Sequence, residues 1–132
     1  MAGIALYTDR SDEWATPNDL FNSLNDEFHF TLDPCASETN HKTELYYSKY
    51  DNGLIQDWSN QIVFCNPPYS SIKNWVYKCW YEWFYNNVTI VLLIPARTDT
   101  KYFHEYIYHQ AEIRFIKGRL HFNGSKNSAP LS

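Results

Sequence analysis

The chain has 132 residues, 44% of them hydrophobic and 18% aromatic, enough for one domain (1–132) with a real core and too apolar for disorder. A formal net charge of −4 argues against a general nucleic-acid coat, but residues 1–60 hold eleven acidic against three basic side chains and residues 61–132 four against eight. No stretch approaches the roughly 20 apolar residues of a membrane span, the opening Met1-Ala2-Gly3-Ile4-Ala5-Leu6 is no signal peptide, and Cys35, Cys65 and Cys79 fit neither a disulfide framework nor a zinc site, so a reducing cytoplasm is expected.

After a loose segment over 1–12, Thr16 is expected to cap a helix with Pro17 in its first position and Leu20, Phe21, Leu24 and Phe28 on one face. Phe30-Thr31-Leu32 reads as a short strand ending at Asp33-Pro34. A short helix is expected over Glu38–Leu45, then a turn at Asp51-Asn52-Gly53. Gln61–Cys65 has the β-branched and aromatic content of a buried strand. Ser70 or Ser71 opens a helix to about Tyr85, whose Trp75, Cys79 and Trp83 fall at core spacing. Val88–Ile94 is the clearest strand, Asp99 or Thr100 opens a helix to about Gln110, and Glu112–Ile116 and Arg119–Phe122 follow as strands. Strands alternating with helices predict an α/β fold with a mainly parallel sheet.

The sharpest chemical signal is Asn66-Pro67-Pro68-Tyr69, directly behind the strand Gln61–Cys65. A residue before proline is pushed out of the α region, so the Asn66 amide projects from the strand's carboxyl end. Prolines donate no backbone hydrogen bond, which leaves neutral acceptors clustered beside an aromatic ring. Such acceptors suit an exocyclic amine on a flat heterocycle. The amine donates its hydrogens, its lone pair is freed from the ring, and Tyr69 stacks on the base. The bland reading, a turn and nothing more, is weakened by the setting, because open α/β sheets bind ligands at strand carboxyl ends.

Three other segments sit where a nucleoside-type cofactor needs them. Asp33-Pro34 places an acid at a strand end, suited to a cationic amine or a ribose hydroxyl. Asp57-Trp58 places an acceptor for an adenine amino group ahead of the next strand. Glu13-Trp14-Ala15-Thr16-Pro17 puts a ring and a hydroxyl at a helix start. A turn for Asp33-Pro34, a cap for Asp57 and core for Trp14 stay open as alternatives.

Six segments in order resemble the phage DNA N6-adenine methyltransferase family: Glu13–Pro17, Phe30–Pro34, Gln56–Trp58, Cys65–Ser70, Pro95–Thr100 and Gly118–Phe122. The resemblance implies a Rossmann-like methyltransferase, helices on both sheet faces, that carries a methyl group from S-adenosylmethionine to N6 of adenine in double-stranded DNA, without a metal. It implies that Asn66, Pro67, Pro68 and Tyr69 hold the target base and that Trp14, Thr16, Pro17, Asp33, Pro34, Asn40 and Asp57 line the cofactor site, with Tyr47 also in the pattern. Arg97, Thr98, Lys101, Arg119 and Lys126 are the expected DNA contacts, and a phage origin would put the protein in a host bacterial cytoplasm. The family continues past Ser128-Ala129-Pro130 with a further strand, so Arg119–Phe122 is expected to lack its hairpin partner and to favour self-association through an unpaired edge. The same chemistry on RNA or on a protein glutamine amide, and a non-catalytic cofactor- or protein-binding module, are the competing readings.

Overall fold

Apolar runs in the central strands and 3.6-residue periodicity in the helices meet in one layered arrangement. The computed structural model describes residues 3–6, 16–116, 120–121 and 128–129. Strands β1 (Gly3–Leu6), β2 (Leu32–Asp33), β3 (Leu45–Tyr46), β4 (Ile62–Cys65), β5 (Thr89–Ile94) and β6 (Ile113–Phe115) form a six-stranded sheet in the order β3-β2-β4-β5-β1-β6. Every adjacent pair runs parallel. Parallel sheets are covered on both faces, which is why β4 and β5 read as nearly unbroken apolar runs.

Alternate residues of those strands supply two separate cores. Val63, Cys65, Ile90, Leu92 and Ile94 face helix α2 (Ile72–Asn86), which buries Ile72, Trp75, Val76 and Cys79 against them. Phe64, Val91 and Leu93 face the other way, onto Phe21 and Leu24 of helix α1 (Asn18–Phe28) and onto Phe30. The Phe21 and Phe64 rings meet edge to face with centroids 5.2 Å apart. Helices on both faces are thus borne out, as is the inward face of α2 at Trp75 and Cys79. Tyr77, Tyr81, Phe84 and Tyr85 of the same helix remain exposed.

Five expectations are corrected. The N-terminal segment is not loose throughout, because β1 lies inside the sheet, between β5 and β6. Its four residues are too few to show a period, and only its neighbours supply the ladder. Glu38–Leu45 is not a helix: Ser37 and Asn40 pair across a tight turn, and the Thr43 hydroxyl donates to the Leu45 carbonyl at 2.6 Å. Polar side chains that bond the local backbone compete with helix formation there. Thr16 does not cap α1, whose cap position falls on Pro17. The helix expected from Asp99 or Thr100 to about Gln110 begins at Lys101 as expected but ends early, its last part a π-helical turn, Phe103–Ile107. Finally, β7 (Leu120–His121) does have a partner, pairing antiparallel with β8 (Ser128–Ala129). The expectation that this strand lacks a hairpin partner is corrected.

Candidate active site

Parallel neighbours β2 and β4 end on one edge of the sheet, and the chain leaving them makes a cleft of about 620 Å³. Its walls are the segment 33–42 behind β2, the segment 48–54, and Asn66, Pro68 and Ser71 behind β4, with Trp75 of α2 and Thr16 completing the lining.

Asp33 is the buried charge of this cleft, 5% exposed. Its Oδ2 accepts the Lys42 backbone N–H at 2.9 Å, which folds the 33–42 segment back over the strand end. Burial pushes the Asp33 carboxyl up, against the lowering by the Lys42 and Cys35 amides and by the nearby Lys42 and His41 charges. Lys42 lines the cleft too, its Nζ 2.9 Å from Asn18 Oδ1, and burial lowers its ammonium pKa while Asp33 raises it. Asn40 lines the cleft, donating its N–H to Ser37 Oγ at 3.1 Å. Pro34 lines it as well.

Behind β4, the side chain of Asn66 donates from Nδ2 to Thr16 Oγ1 at 2.8 Å, across 50 positions of sequence. Thr16 is 3% exposed, one position ahead of Pro17, which holds the α1 cap position. Pro67 is buried, and Tyr69 is half-buried in a 3₁₀ turn, Tyr69–Ser71, packed against both cores. Asn66 and Pro68 line the cleft, and Pro67 and Tyr69 stand behind that wall.

The 48–54 wall is held from below. Trp58 Nε1 donates to the Gly53 carbonyl at 3.0 Å, and Lys78 Nζ donates to Gln56 O at 2.7 Å. Gly53 is packed so closely on Pro34 that a Cβ there would strike the Pro34 carbonyl and the Trp75 ring. Asn52 has left-handed backbone (φ 57), which asparagine tolerates, and its side chain accepts from Leu54 N–H at 3.2 Å.

Asp57 is a correction. It is exposed and lies outside the cleft wall, where its Oδ1 accepts the Ser59 N–H at 2.9 Å. Those Ser59 bonds hold its carboxyl below the usual aspartate range. It caps a turn, as Asx residues two positions ahead of a backbone donor do, and the buried Trp58 beside it is core. Pro17 and Tyr47 also stand outside the lining: Pro17 opens α1, and Tyr47 N–H donates to Asp33 O at 3.0 Å. Arg97, Thr98 and Lys101 are exposed beyond β5, on the same carboxyl edge as Asn66 because β4 and β5 are parallel. Thr100 opens the helical turn that follows, its Oγ1 accepting the Phe103 N–H at 3.4 Å and donating to Arg97 O at 2.7 Å. Trp14, Arg119 and Lys126 lie outside the described residues.

Sequence reasoning missed Lys42, Asn52, Gly53 and Trp75 as cleft residues. The turn at 51–53 was visible, but nothing local shows that it packs on Pro34. Cys35 and Cys65 have Sγ atoms 3.8 Å apart, yet burial pushes the thiols of Cys35, Cys65 and Cys79 up and keeps them protonated. Among the described residues no cluster of His, Cys, Asp or Glu is placed to hold a metal ion, and no helix is long and apolar enough to cross a membrane.

Fold and cleft together define an α/β protein with a partly polar cleft at the carboxyl edge of a parallel sheet. The chain belongs to the DNA N-6-adenine-methyltransferase (Dam) family, whose model matches residues 5–131. It is 33% identical over 113 residues to a DNA N-6-adenine-methyltransferase of Haemophilus phage HP1, covering 83% of this chain and 65% of that protein. It is 36% identical over 111 residues to a DNA N-6-adenine-methyltransferase of Escherichia phage T1, covering 83% of this chain and 46% of that protein. The chain therefore spans about half to two thirds of the length of these relatives. No solved structure matches it.

Proposed function

We propose that this chain transfers the methyl group of S-adenosylmethionine to N6 of adenine in double-stranded DNA, on a Rossmann-like methyltransferase fold. The observation that carries the reading is the Asn66 amide, set in the cleft wall at the end of β4 with its nitrogen turned to Thr16. Family membership and the strand-end location of the cleft support it.

The residues fit the cofactor. A cleft of about 620 Å³ is of the size that takes a nucleoside-sized ligand, and it contains a buried carboxylate, Asp33, that suits a cationic amine. Asp33, Pro34 and Asn40 would hold it, with Lys42, Asn52 and Gly53 completing the walls. When bound it supplies a methyl already activated as a sulfonium, so this chain needs to provide orientation and little else.

A target base must leave the duplex for its amine to reach such a site. Asn66 Oδ1 accepts a hydrogen of that amine, which turns the nitrogen lone pair out of the ring plane and favours the positive charge that develops on nitrogen. Asn66 is neutral, so it takes no proton; the proton leaves to water after transfer. Pro67 and Pro68 bring no N–H groups that would repel the amine. The exposed Arg97, Thr98 and Lys101 lie on the same sheet edge, where they would meet the phosphate backbone.

The test is incubation with labelled S-adenosylmethionine and unmethylated DNA, followed by nucleoside analysis. N6-methyladenine is expected. RNA and glutamine-containing protein serve as the competing substrates, and label in either of those with none in DNA refutes the proposal. Asn66→Ala is expected to lower turnover on the order of a hundredfold or more, as loss of one preorganised transition-state contact does. Calorimetry on the same variant should find cofactor affinity close to wild type.

A further inference from the structure

We infer that the outer face of α2 is a self-association surface, where two copies of this chain pack their aromatic rows together about a two-fold axis.

A helix at a protein surface normally carries one apolar stripe, and α2 carries two. Ile72, Trp75, Val76 and Cys79 face the sheet. Tyr77, Tyr81, Phe84 and Tyr85 repeat the helical spacing on the opposite side, where they are 46%, 41%, 56% and 61% exposed. The rings form one continuous surface. Phe84 stacks on Trp80 with centroids 5.1 Å apart, and Tyr81 meets Tyr85 at 4.8 Å. Tyr106, from the π-helical turn, packs on Tyr77 at 5.5 Å and on Trp80 at 5.3 Å. Trp80 Nε1 donates to Gln110 Oε1 at 2.7 Å, which pins the middle of the row. Rings already held by one another lose little freedom on association, so the ordering cost is small.

Charge and area select the occupant. Between Asn74 and Asn86 the charged side chains are Lys78 and Glu82, which bond each other at 2.8 Å and are 14% and 3% exposed. Such a row offers no free cation to a phosphate backbone or to an anionic membrane surface. Two copies with a net charge of −4 each repel, and an uncharged face is where that repulsion is least opposed to contact. An aromatic side chain buries about 150–250 Å² when fully covered, so four rings near half exposure contribute about 800 Å² between two copies. With the partly exposed Trp80 and Tyr106 the face reaches the roughly 1,000 Å² at which specific interfaces begin. A two-fold axis sets the same row against itself, giving every ring a partner of its own chemistry.

The face also leaves the cleft free. Helix α2 begins beside the cleft, where Ser71 and Trp75 line it, and leads back to the amino edge, where Thr89 pairs with Ile62. Tyr81 to Tyr85 lie about 9–15 Å along the helix from Trp75, so two copies join without closing either cleft.

The experiment is sedimentation equilibrium over a wide concentration range, on wild type and on the double variant Tyr81→Lys, Phe84→Lys. Wild type is expected to show a monomer–dimer equilibrium with Kd on the order of micromolar, as suits an interface at the small end of the range. The double variant is expected to weaken it about thirtyfold or more, the loss of a central aromatic contact, with a wild-type thermal melt because both sites are exposed. A second readout identifies the partner as the same face. Tyr81→Cys, at the middle of the row, is expected to form a covalent dimer with diamide as oxidant. Lys49→Cys, on the cleft wall, and wild type, whose thiols are protonated, are expected to stay uncrosslinked. Wild type that remains monomeric at every concentration overturns the inference, and the row then serves some other partner. Dimerisation undiminished in the double variant overturns it as well, and so does crosslinking of Lys49→Cys as fast as Tyr81→Cys.

Discussion

Asp33 is a single residue of the cleft that costs the fold stability. It is a carboxylate almost fully removed from water, and burial raises its pKa ahead of every compensating hydrogen bond. An acid whose pKa is raised by folding binds more protons folded than unfolded between the two values, so stability falls as pH rises through that window. Above it, ionised Asp33 subtracts from stability. Asp33→Asn keeps an acceptor for the Lys42 amide and loses the charge, so it is expected to melt higher than wild type near neutral pH. The difference should shrink as pH is lowered toward the ordinary aspartate range. Its affinity for S-adenosylmethionine should fall about tenfold or more, the worth of a charged hydrogen bond. Thermal melts across pH and calorimetry check both halves; identical melting at every pH refutes the first. At this scale three residues picked out in the sequence, Asn66, Asp33 and Thr16, meet in one cleft, and Asp57 lies outside it. An aspartate ahead of a tryptophan looks the same whether it faces a cleft or caps the next turn.

At the scale of elements, α2 does two jobs that its periodicity shows only in part. Its apolar face was plain from Trp75 and Cys79. Its buried Glu82, 2% exposed, was not, and it gathers Lys78 Nζ at 2.8 Å, Asn86 Nδ2 at 2.5 Å and the Trp58 backbone N–H at 3.5 Å. Lys78 reaches on to Gln56, so the helix fastens the segment that carries the 48–54 wall of the cleft. Removing one partner of a buried ion pair leaves the other uncompensated, so Glu82→Ala is expected to lose about 3–5 kcal/mol. Replacing both Lys78 and Glu82 with methionine should restore much of that. Denaturant unfolding of the two variants is the check, and a single variant no worse than the double one counts against this account. The short elements were the hard ones to read. Segment 38–45 has residues a helix tolerates, but Ser37 Oγ just ahead of it accepts the Asn40 N–H and the Thr43 hydroxyl donates to the Leu45 carbonyl instead.

At the scale of the whole molecule, β1 is the piece on which the others depend. It pairs with β5 through Gly3–Leu6 and with β6 through Ile4–Leu6, so β6 reaches the sheet only by way of it. Deleting residues 1–6 would expose the edge of β5 and detach β6 from its ladder. The shortened protein is expected to lose its cooperative melt or to aggregate, as light scattering with a thermal scan would show; a sharp melt at the wild-type temperature would contradict it. The sequence by itself determined the α/β alternation, the buried strands Ile62–Cys65 and Thr89–Ile94, the inward face of α2, and the Asn66 amide at a strand's carboxyl end. Those features are local, written in continuous apolar runs, in a 3.6-residue period and in the constraint proline puts on its neighbour. Only the tertiary structure decided that four N-terminal residues fill the gap between β5 and β6, that Gly53 closes on Pro34, and that the Thr16 hydroxyl meets Asn66. Each of these joins segments far apart in the chain, and no local pattern encodes which distant partner a strand, a glycine or a hydroxyl will find.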